Sequence, residues 1–366
     1  MALSHSPKIV TDGLVFMYDT GNRKSYPGEP TTNYGPASFG EWGTESTAER
    51  IATGNTFNGQ PTYNCRTVVG QAYRGIEKTI SGLRTSAGAS GTVTMSCMVR
   101  NNNPTAYNMS AYIGHDFSSA RTIAANSDWQ KVQWTVNQSS MNNDYVEFRP
   151  YTNNASIYLE MTMPMVEVNK GHATQFVNGT RSATEGLIDR TNNETITLSN
   201  LSYDSNAQMS FDGTDDQFYI SDPGVSTSFS IEVVIKVDSY SNGPIFVSPN
   251  SVGIDHYFRV NNNGTITAYF VEIPDSSGDG YTSTTTINTG EYYHVVISKT
   301  PSNGTIYING VAEDSHTSTL VAAAWSGAWR IGARWNNTFN LNGELPILKV
   351  YDRALATEEI LQNYNA

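Results

Sequence analysis

The sequence predicts an all-β protein of two β-sandwich, jelly-roll domains, with one short helix at the C-terminus. Three observations carry this. Short runs that alternate apolar and polar residues recur along nearly the whole chain, each closed by a Gly, Asn, Ser or Pro cluster at sandwich spacing. Charged residues make up only 15% while Tyr alone contributes 21, the composition of strands whose outer faces carry hydroxyls and amides. No strand–helix–strand rhythm appears, which excludes a parallel sheet. At 366 residues the chain exceeds the size at which one core stops growing, so two domains are expected.

The first strand is "DGLVFMY" (12 to 18), followed by the turn-rich "DTGNRKSYPGEP". A first strand series then runs through "YRGIEKTI", "TVTMSCMVR", "MSAYIGH", "DWQKVQWTVN", "DYVEFRPYT" and "ASIYLEMTMPMVEV". In "KVQWTVN" the two-residue period puts Val132, Trp134 and Val136 on one face and Lys131, Gln133 and Thr135 on the other, so one face is wet. Residues 169 to 186 are polar and aperiodic, a connector. A second series follows, from "ITLSNLSY" through "FSIEVVIKVDS", "HYFRVNN", "GTITAYFVEI" and "YYHVVISKT" to "LPILKVYDRAL". The "NNNG" and "SNG" turns ahead of "TITAYF" and "TIYING" signal hairpins, because Asn and Gly tolerate positive φ. The last element is a short acidic helix, with Thr357 as its expected N-cap and Glu358 and Glu359 in the first turn where the dipole favours them. Tyr351, Leu355, Ile360 and Leu361 are expected to cover one end of the second sandwich.

A net charge of −12 with no basic block argues against nucleic acid and anionic membranes and leaves uncharged or cationic partners. No segment has the length of a membrane span, and "MALSHSPKIVTDG" lacks the apolar stretch of a signal peptide, so the expectation is assembly inside a host cell without classical secretion. The N-x-S/T sequons then read as turn chemistry. Two cysteines are too few for a disulfide framework. Cys97 shares a strand face with Val93, Met95 and Val99 and reads as a core residue, with a bridge to Cys65 left open.

"MSFDGTDDQFYI" (209 to 220), "SFSIEVVIKVDS" (228 to 239), "YYHVVISKTPSNGTIYINGV" (292 to 311), "WRIGARW" (329 to 335) and "NGELPILKVYDRALATEEILQNY" (342 to 364) occur in an order that resembles the laminin-G-like, concanavalin A-like jelly roll. The opening "IVTDGLVFMYDTGNRKSYPG" is similar to a leader found in bacteriophage virion proteins of that family. Between them, "TNYGPASFGEW", "YRGIEKTISGL", "TVTMSCMVR" and "DWQKVQWTV" resemble the β-sandwich carbohydrate-binding modules of xylanases and glucanases. The resemblance implies a leader at 1–30 whose strand joins the C-terminal domain beside "LPILKVY", a carbohydrate-binding-module-like sandwich at 31–181 and a jelly roll at 182–366. An apolar N-terminal strand left undocked would be an aggregation-prone edge, which independently favours its pairing.

Because the family includes glucanases, the carboxylates matter. Retaining glycosidases hold two about 5 to 5.5 Å apart, and the relatives write them as E-x-D-x-x-E or E-x-D-x-E. Neither spacing occurs. Glu232 stands alone among apolar neighbours, and Glu160 and Glu167, seven apart, fall on opposite faces of a regular strand. The six histidines (5, 115, 172, 256, 294, 316) have no zinc spacing, and His294 is expected to pack and make a backbone hydrogen bond. No catalytic residue is assigned.

Both resembled families often hold Ca²⁺, which makes calcium the one cofactor to look for. Asp212, Asp215 and Asp216 in "FDGTDDQF" are the candidate ligands, with turn formation the alternative, and "DSSGDGY" adds Asp275 and Asp279. A sugar site needs aromatic platforms with amide and hydroxyl neighbours. Trp325, Trp335, Asn336 and Asn337 in the jelly roll, and Trp42, Tyr107, Tyr112 and Tyr151 in the insert, are the candidates; Trp329 reads as core. The resemblance implies a non-enzymatic structural protein on a phage virion surface, decorating capsid or tail. Its implied partners are other virion proteins in a homo-oligomer, trimeric for instance, and host-surface glycans, with no nucleic acid and no membrane. A dedicated receptor-binding adhesin is the alternative, and a polysaccharide depolymerase a third.

Overall fold

The computed structural model describes residues 8–45, 48–67, 75–152, 156–204, 208–251, 254–271, 278–317, 328–334 and 336–366. The chain divides into two compact units: residues up to Glu29 with Ala183–Asp204 and Gln208–Ala366, and Pro30–Ser182.

The first unit is a jelly roll of two antiparallel sheets. One runs in the order Ser202–Tyr203, Met209–Asp212, Asn342–Tyr351, Phe229–Val237, Tyr292–Lys299, Asn303–Ile308, Val311–Thr317. The strand Asn342–Tyr351 has two neighbours end to end on one edge: Met209–Asp212 at Asn342 and Gly343, and the N-terminal strand Leu14–Asp19 along Ile347 to Tyr351. Phe16 and Tyr18 of that N-terminal strand are fully buried, which contributes about 1.5–3 kcal/mol each. The Tyr18 hydroxyl donates to the Leu345 carbonyl at 2.8 Å, so its burial leaves no donor orphaned.

The second sheet runs Ile196–Ser199, Gln217–Ile220, Trp329–Ile331, Ile245–Ser251, Tyr257–Val260, Ile266–Val271, Gly278–Thr282. Every second residue of its strands points inward, except on Ile245–Ser251, where the register slips and Phe246 and Val247 both enter the core. Phe218, Ile220, Trp329, Ile331, Val247, Phe258, Val260, Ile266, Ala268 and Phe270 meet Ile231, Val233, Ile235, Val295, Ile297, Leu348 and Val350 from the first sheet.

The C-terminal helix, Thr357–Tyr364, starts one residue away from the expected cap. Ala356 is the N-cap, and because alanine offers no acceptor, Glu359 reaches back to the Ala356 amide at 2.9 Å. Thr357 is the first helical residue, and its hydroxyl lies 3.2 Å from the Tyr307 hydroxyl. The helix covers the outer face of the first sheet rather than one end: Ile360 and Leu355 pack with Val10, Val296, Tyr307 and Tyr351. Leu361 is 48% exposed and takes no part in that cover.

Beneath the helix lies a polar cluster. Glu232 is fully buried, not alone among apolar groups: Oε1 takes Lys349 Nζ at 2.6 Å and stands 3.1 Å from His294 Nε2, while Oε2 accepts from Asn363 Nδ2 at 2.6 Å. His294 packs against Tyr364, 5.5 Å between ring centroids, and its backbone carbonyl accepts from the Asn309 amide at 2.8 Å, as expected; its ring also faces a carboxylate. Two charges inside an otherwise apolar seam persist only when each has a partner, and here each does.

In the second unit two antiparallel ladders stack. One holds Arg121–Ile123, Tyr107–Ile113, Tyr145–Tyr151, Ile76–Thr79 and Gly43–Thr44; the other Ala48–Phe57, Gln60–Thr67, Leu159–Val168, Thr92–Asn101 and Ser127–Asn137. A parallel bridge between Tyr151 and Thr67 links them. Cys65 and Cys97 are both free and buried in the core between the ladders, and burial pushes both thiols far up, so they are inert packing groups. Met163 has φ +54 and the register slips between Thr162 and Met165, a bulge. That extra residue brings Glu160 and Glu167 to the same face, opposite Arg100 and Thr94, instead of opposite faces. They still lie six partner residues apart, roughly 20 Å, and each has its own partners: Arg100 for Glu160, Thr31 and Thr174 for Glu167.

Candidate functional site

The outward face of the second jelly-roll sheet carries a groove of about 1150 Å³, larger than the usual small-molecule pocket and open along its length. The hairpin Tyr257–Val260 to Ile266–Val271 builds its floor. Phe258, Val260, Ile266, Ala268 and Phe270 drive this hairpin onto the core, and the two-residue period then forces Tyr257, Arg259, Thr267 and Tyr269 outward. Gly264, at φ +80, makes the tight turn; a Cβ there would stand 2.7 Å from the Thr286 methyl carbon.

Tyr257 and Tyr269 are direct cross-strand partners with stacked rings, 5.1 Å between centroids and 22° between planes. The Arg259 guanidinium lies 5.3 Å from the Tyr257 ring centre, and its Nε donates to Asn261 Oδ1 at 2.9 Å. Asn261 Nδ2 is 2.8 Å from both Thr265 Oγ1 and Thr267 Oγ1, and Thr267 Oγ1 is 2.9 Å from Thr282 Oγ1. Beyond Tyr269 the next strand presents Gly280, which leaves the ring edge uncovered. Thr338 and Phe339 form one wall. Further along the same face, Tyr219 and Arg330 are cross-strand partners, with the guanidinium 4.9 Å from the ring.

The arrangement is two coplanar-tending aromatic faces beside a line of amide and hydroxyl groups already fixed by one another. Such a surface offers apolar contact to the C–H face of a ring and hydrogen bonds to its hydroxyl edge. The described residues that line the groove include no Asp or Glu.

The candidates named from sequence are scattered. Trp42 is buried, 2% exposed, packed between Phe39 and Phe148 at 5.8 and 5.2 Å, and its Nε1 donates to the Pro36 carbonyl at 3.0 Å; it is a core residue and not a sugar platform. Tyr107 and Tyr112 fall on opposite faces of one strand. Tyr107 leans on the core, while Tyr112 lies under Arg149 at 4.8 Å and bonds His115 Nδ1 at 2.8 Å. Asn336 and Asn337 sit in the exposed turn leading to Thr338 and Phe339, and Asn336 Oδ1 accepts from Thr338 Oγ1 at 2.6 Å. Trp325, Trp335 and Asp275 lie outside the described residues, as does the side chain of Asp279. Trp329 is core.

Asp212, Asp215 and Asp216 each place a carboxylate oxygen within 4.8 Å of the others. Asp216 Oδ2 accepts from the amides of Asp212, at 2.8 Å, and Ser202, at 3.2 Å, while its buried Oδ1 has no partner among the described residues. Burial raises the Asp216 carboxyl, against the hydrogen bonds from Ser202 and Asp212. A carboxylate with one orphaned buried oxygen, grouped with two more carboxylates, fits a hard divalent cation, for which Asp212, Asp215 and Asp216 would supply the oxygens.

In "HYFRVNNNGTITAYF" the turn is the strongest local signal and it masks the groove residues on the two arms. The signal was there: the polar set Tyr-Arg-Asn and Thr-Thr-Tyr occupies the parity opposite Phe, Val, Ile, Ala and Phe on both arms of one hairpin.

Residues 212–361 match the family model of the concanavalin A-like lectin/glucanases superfamily. The first unit has the jelly-roll fold of those lectins and glucanases. No curated protein matches the chain. Among solved structures, the binding domain of botulinum neurotoxin serotype D is 13% identical, with a TM-score of 0.41 and coverage of 50% of this chain and 49% of that one. Domain 4 of an extracellular arabinanase from Geobacillus stearothermophilus, solved with arabinotriose, is 17% identical, with a TM-score of 0.40 and coverage of 50% and 93%. A heptameric SAP-like pentraxin from Limulus polyphemus is 20% identical, with a TM-score of 0.33 and coverage of 42% and 78%. The chain spans about half the length of the toxin domains it matches. No helix among the described residues is long and apolar enough to cross a membrane.

Proposed function

We propose that the protein is a non-enzymatic glycan-binding surface protein, and that the groove over Tyr257 and Tyr269 is where the glycan lies. The observation that carries this reading is the stacked tyrosine pair flanked by the Arg259–Asn261–Thr267 chain on an open sheet face. A lectin-like fold supports it. A calcium ion at Asp212, Asp215 and Asp216 would hold the turn before the strand that carries Tyr219, and Asn336, bonded to the Thr338 hydroxyl of the groove wall, would join the site from that side. The leader phrase at 9 to 28 favours a bacteriophage particle as the setting, with the jelly roll carrying a carbohydrate-binding-module-like insert at 31–181 as a decoration of capsid or tail, homo-oligomeric among other virion proteins. A glycan array probed with the wild-type protein and with Tyr257→Ala tests the reading: hits lost in the variant support it, and an array without hits refutes it.

A further inference from the structure

We infer that the groove and the sheet face that continues from it select acidic glycans, sugars that carry a carboxylate or sulfate, with Arg259 in the groove and Arg330 beyond it as the anion-recognising residues; this rests on the proposed glycan-binding reading. Acidic residues outnumber basic ones by 34 to 22, and several arginines are neutralised: Arg66 by Glu49, Arg100 by Glu160, Arg149 by Glu147, Arg353 by Glu359 and Asp12. Arg259 and Arg330 are different. Among the described residues neither has a carboxylate partner; Arg259 is held by the Tyr257 ring and Asn261 Oδ1, Arg330 by the Tyr219 ring and the Arg334 carbonyl at 3.3 Å. The Nε of Arg330 is buried without a partner.

Both side chains are thus oriented by neutral groups, with no carboxylate beside them among the described residues. A guanidinium fork so placed matches a carboxylate or sulfate in two parallel hydrogen bonds, a geometry lysine cannot supply. The two lie on the same sheet face on strands separated by one other strand, roughly 10 Å apart across the sheet, and they are also offset along it, Arg330 pairing with Ser248 and Arg259 with Ile245 of the intervening strand, so they can meet anions on different residues of one extended chain. The tyrosines beside each would take the rings. A net charge of −12 repels a polyanion at long range, and salt screens that repulsion over a Debye length of about 8 to 10 Å. Recognition must therefore be local, and the whole-chain charge, which by itself points to neutral or cationic partners, does not describe this face.

The test is a titration of the full chain with three oligosaccharides of matched length: an oligouronate, a sulfated oligosaccharide and a neutral glucan. It uses wild type, Arg259→Gln, Arg330→Gln, Arg259→Lys and Tyr257→Ala, with melting curves to confirm folding. The expected result is acidic oligosaccharides bound at least about tenfold more tightly than the neutral one. Each Gln variant should lose about tenfold or more on the acidic ligand and nothing on the neutral one, with the Lys variant intermediate. The oligouronate and sulfate arms decide which anion fits the fork better. Equal affinity for neutral and acidic ligands, unmoved by either Gln variant but abolished by Tyr257→Ala, overturns acidic selection and leaves the groove as the glycan site. No binding of any oligosaccharide, or binding indifferent to Tyr257→Ala, overturns the groove reading and this inference with it.

Discussion

Asn363, in the C-terminal helix, donates to the carboxylate of Glu232, 131 residues earlier, at 2.6 Å in the buried seam between helix and sheet. The same amide nitrogen lies 2.9 Å from the Tyr351 hydroxyl, and its oxygen accepts from the Val10 amide at 2.7 Å. One side chain thereby joins the incoming N-terminal segment, the closing strand and a central strand.

Asn363→Leu should therefore destabilise the first unit by about 2–4 kcal/mol, because it removes the donor to Glu232 and strands the Val10 amide. Thermal unfolding followed by tryptophan fluorescence reads this. Deleting residues 350–366 should go further, unfolding the first unit while Pro30–Ser182 keeps its own transition; a truncated chain with both transitions intact would refute the closing role of the C-terminal strand and helix.

Acid should loosen the same seam. Burial pushes the Glu232 carboxyl up, but the hydrogen bond from His294 and the charge of Lys349 outweigh it and hold the group below 4.5. A depressed carboxylate contributes stability that is present above its unfolded value and is lost as pH falls through the lower folded value. The melting temperature of the first unit should drop steeply below about pH 4.5, and Glu232→Gln, less stable at neutral pH, should flatten that dependence.

Calcium should raise the melting temperature if Asp212, Asp215 and Asp216 take a cation, by a shift equivalent to about 2.7 kcal/mol at a hundredfold excess over Kd. Asp216→Asn should abolish the shift. Calorimetry with and without chelator measures it, and identical traces for wild type in both conditions would mean the three aspartates serve the turn alone.

Trp42→Ala should cost the second unit about 3–5 kcal/mol by opening a cavity against Phe39 and Phe148, and leave glycan binding at the groove unchanged. Lost binding in a folded Trp42→Ala protein would put a sugar site in the wrong unit for this account.

The all-β class and the buried Trp329 were legible because alternation is a local signal that a sandwich core reads out directly. Parity could not tell Trp42 from a loop platform, since its burial depends on Phe148, more than a hundred residues away. The faces of Glu160 and Glu167 failed on one bulged residue at Met163, which no period reveals. The cap failed because Thr357 lies one residue inside a helix that Glu359 starts by itself. Glu232 looked solitary because Lys349, His294 and Asn363 reach it only through sheet register and helix docking. The groove was the reverse case: its parity was written in one hairpin, but hydroxyl and amide residues are so common here that only their convergence marks a site.

The most direct measurement is amide chemical-shift mapping of the full chain with a glycan that binds it. The shifted resonances should cluster on Tyr257, Arg259, Thr267, Tyr269 and Thr282. Shifts confined to Pro30–Ser182, with the groove silent, would contradict the groove as the glycan site.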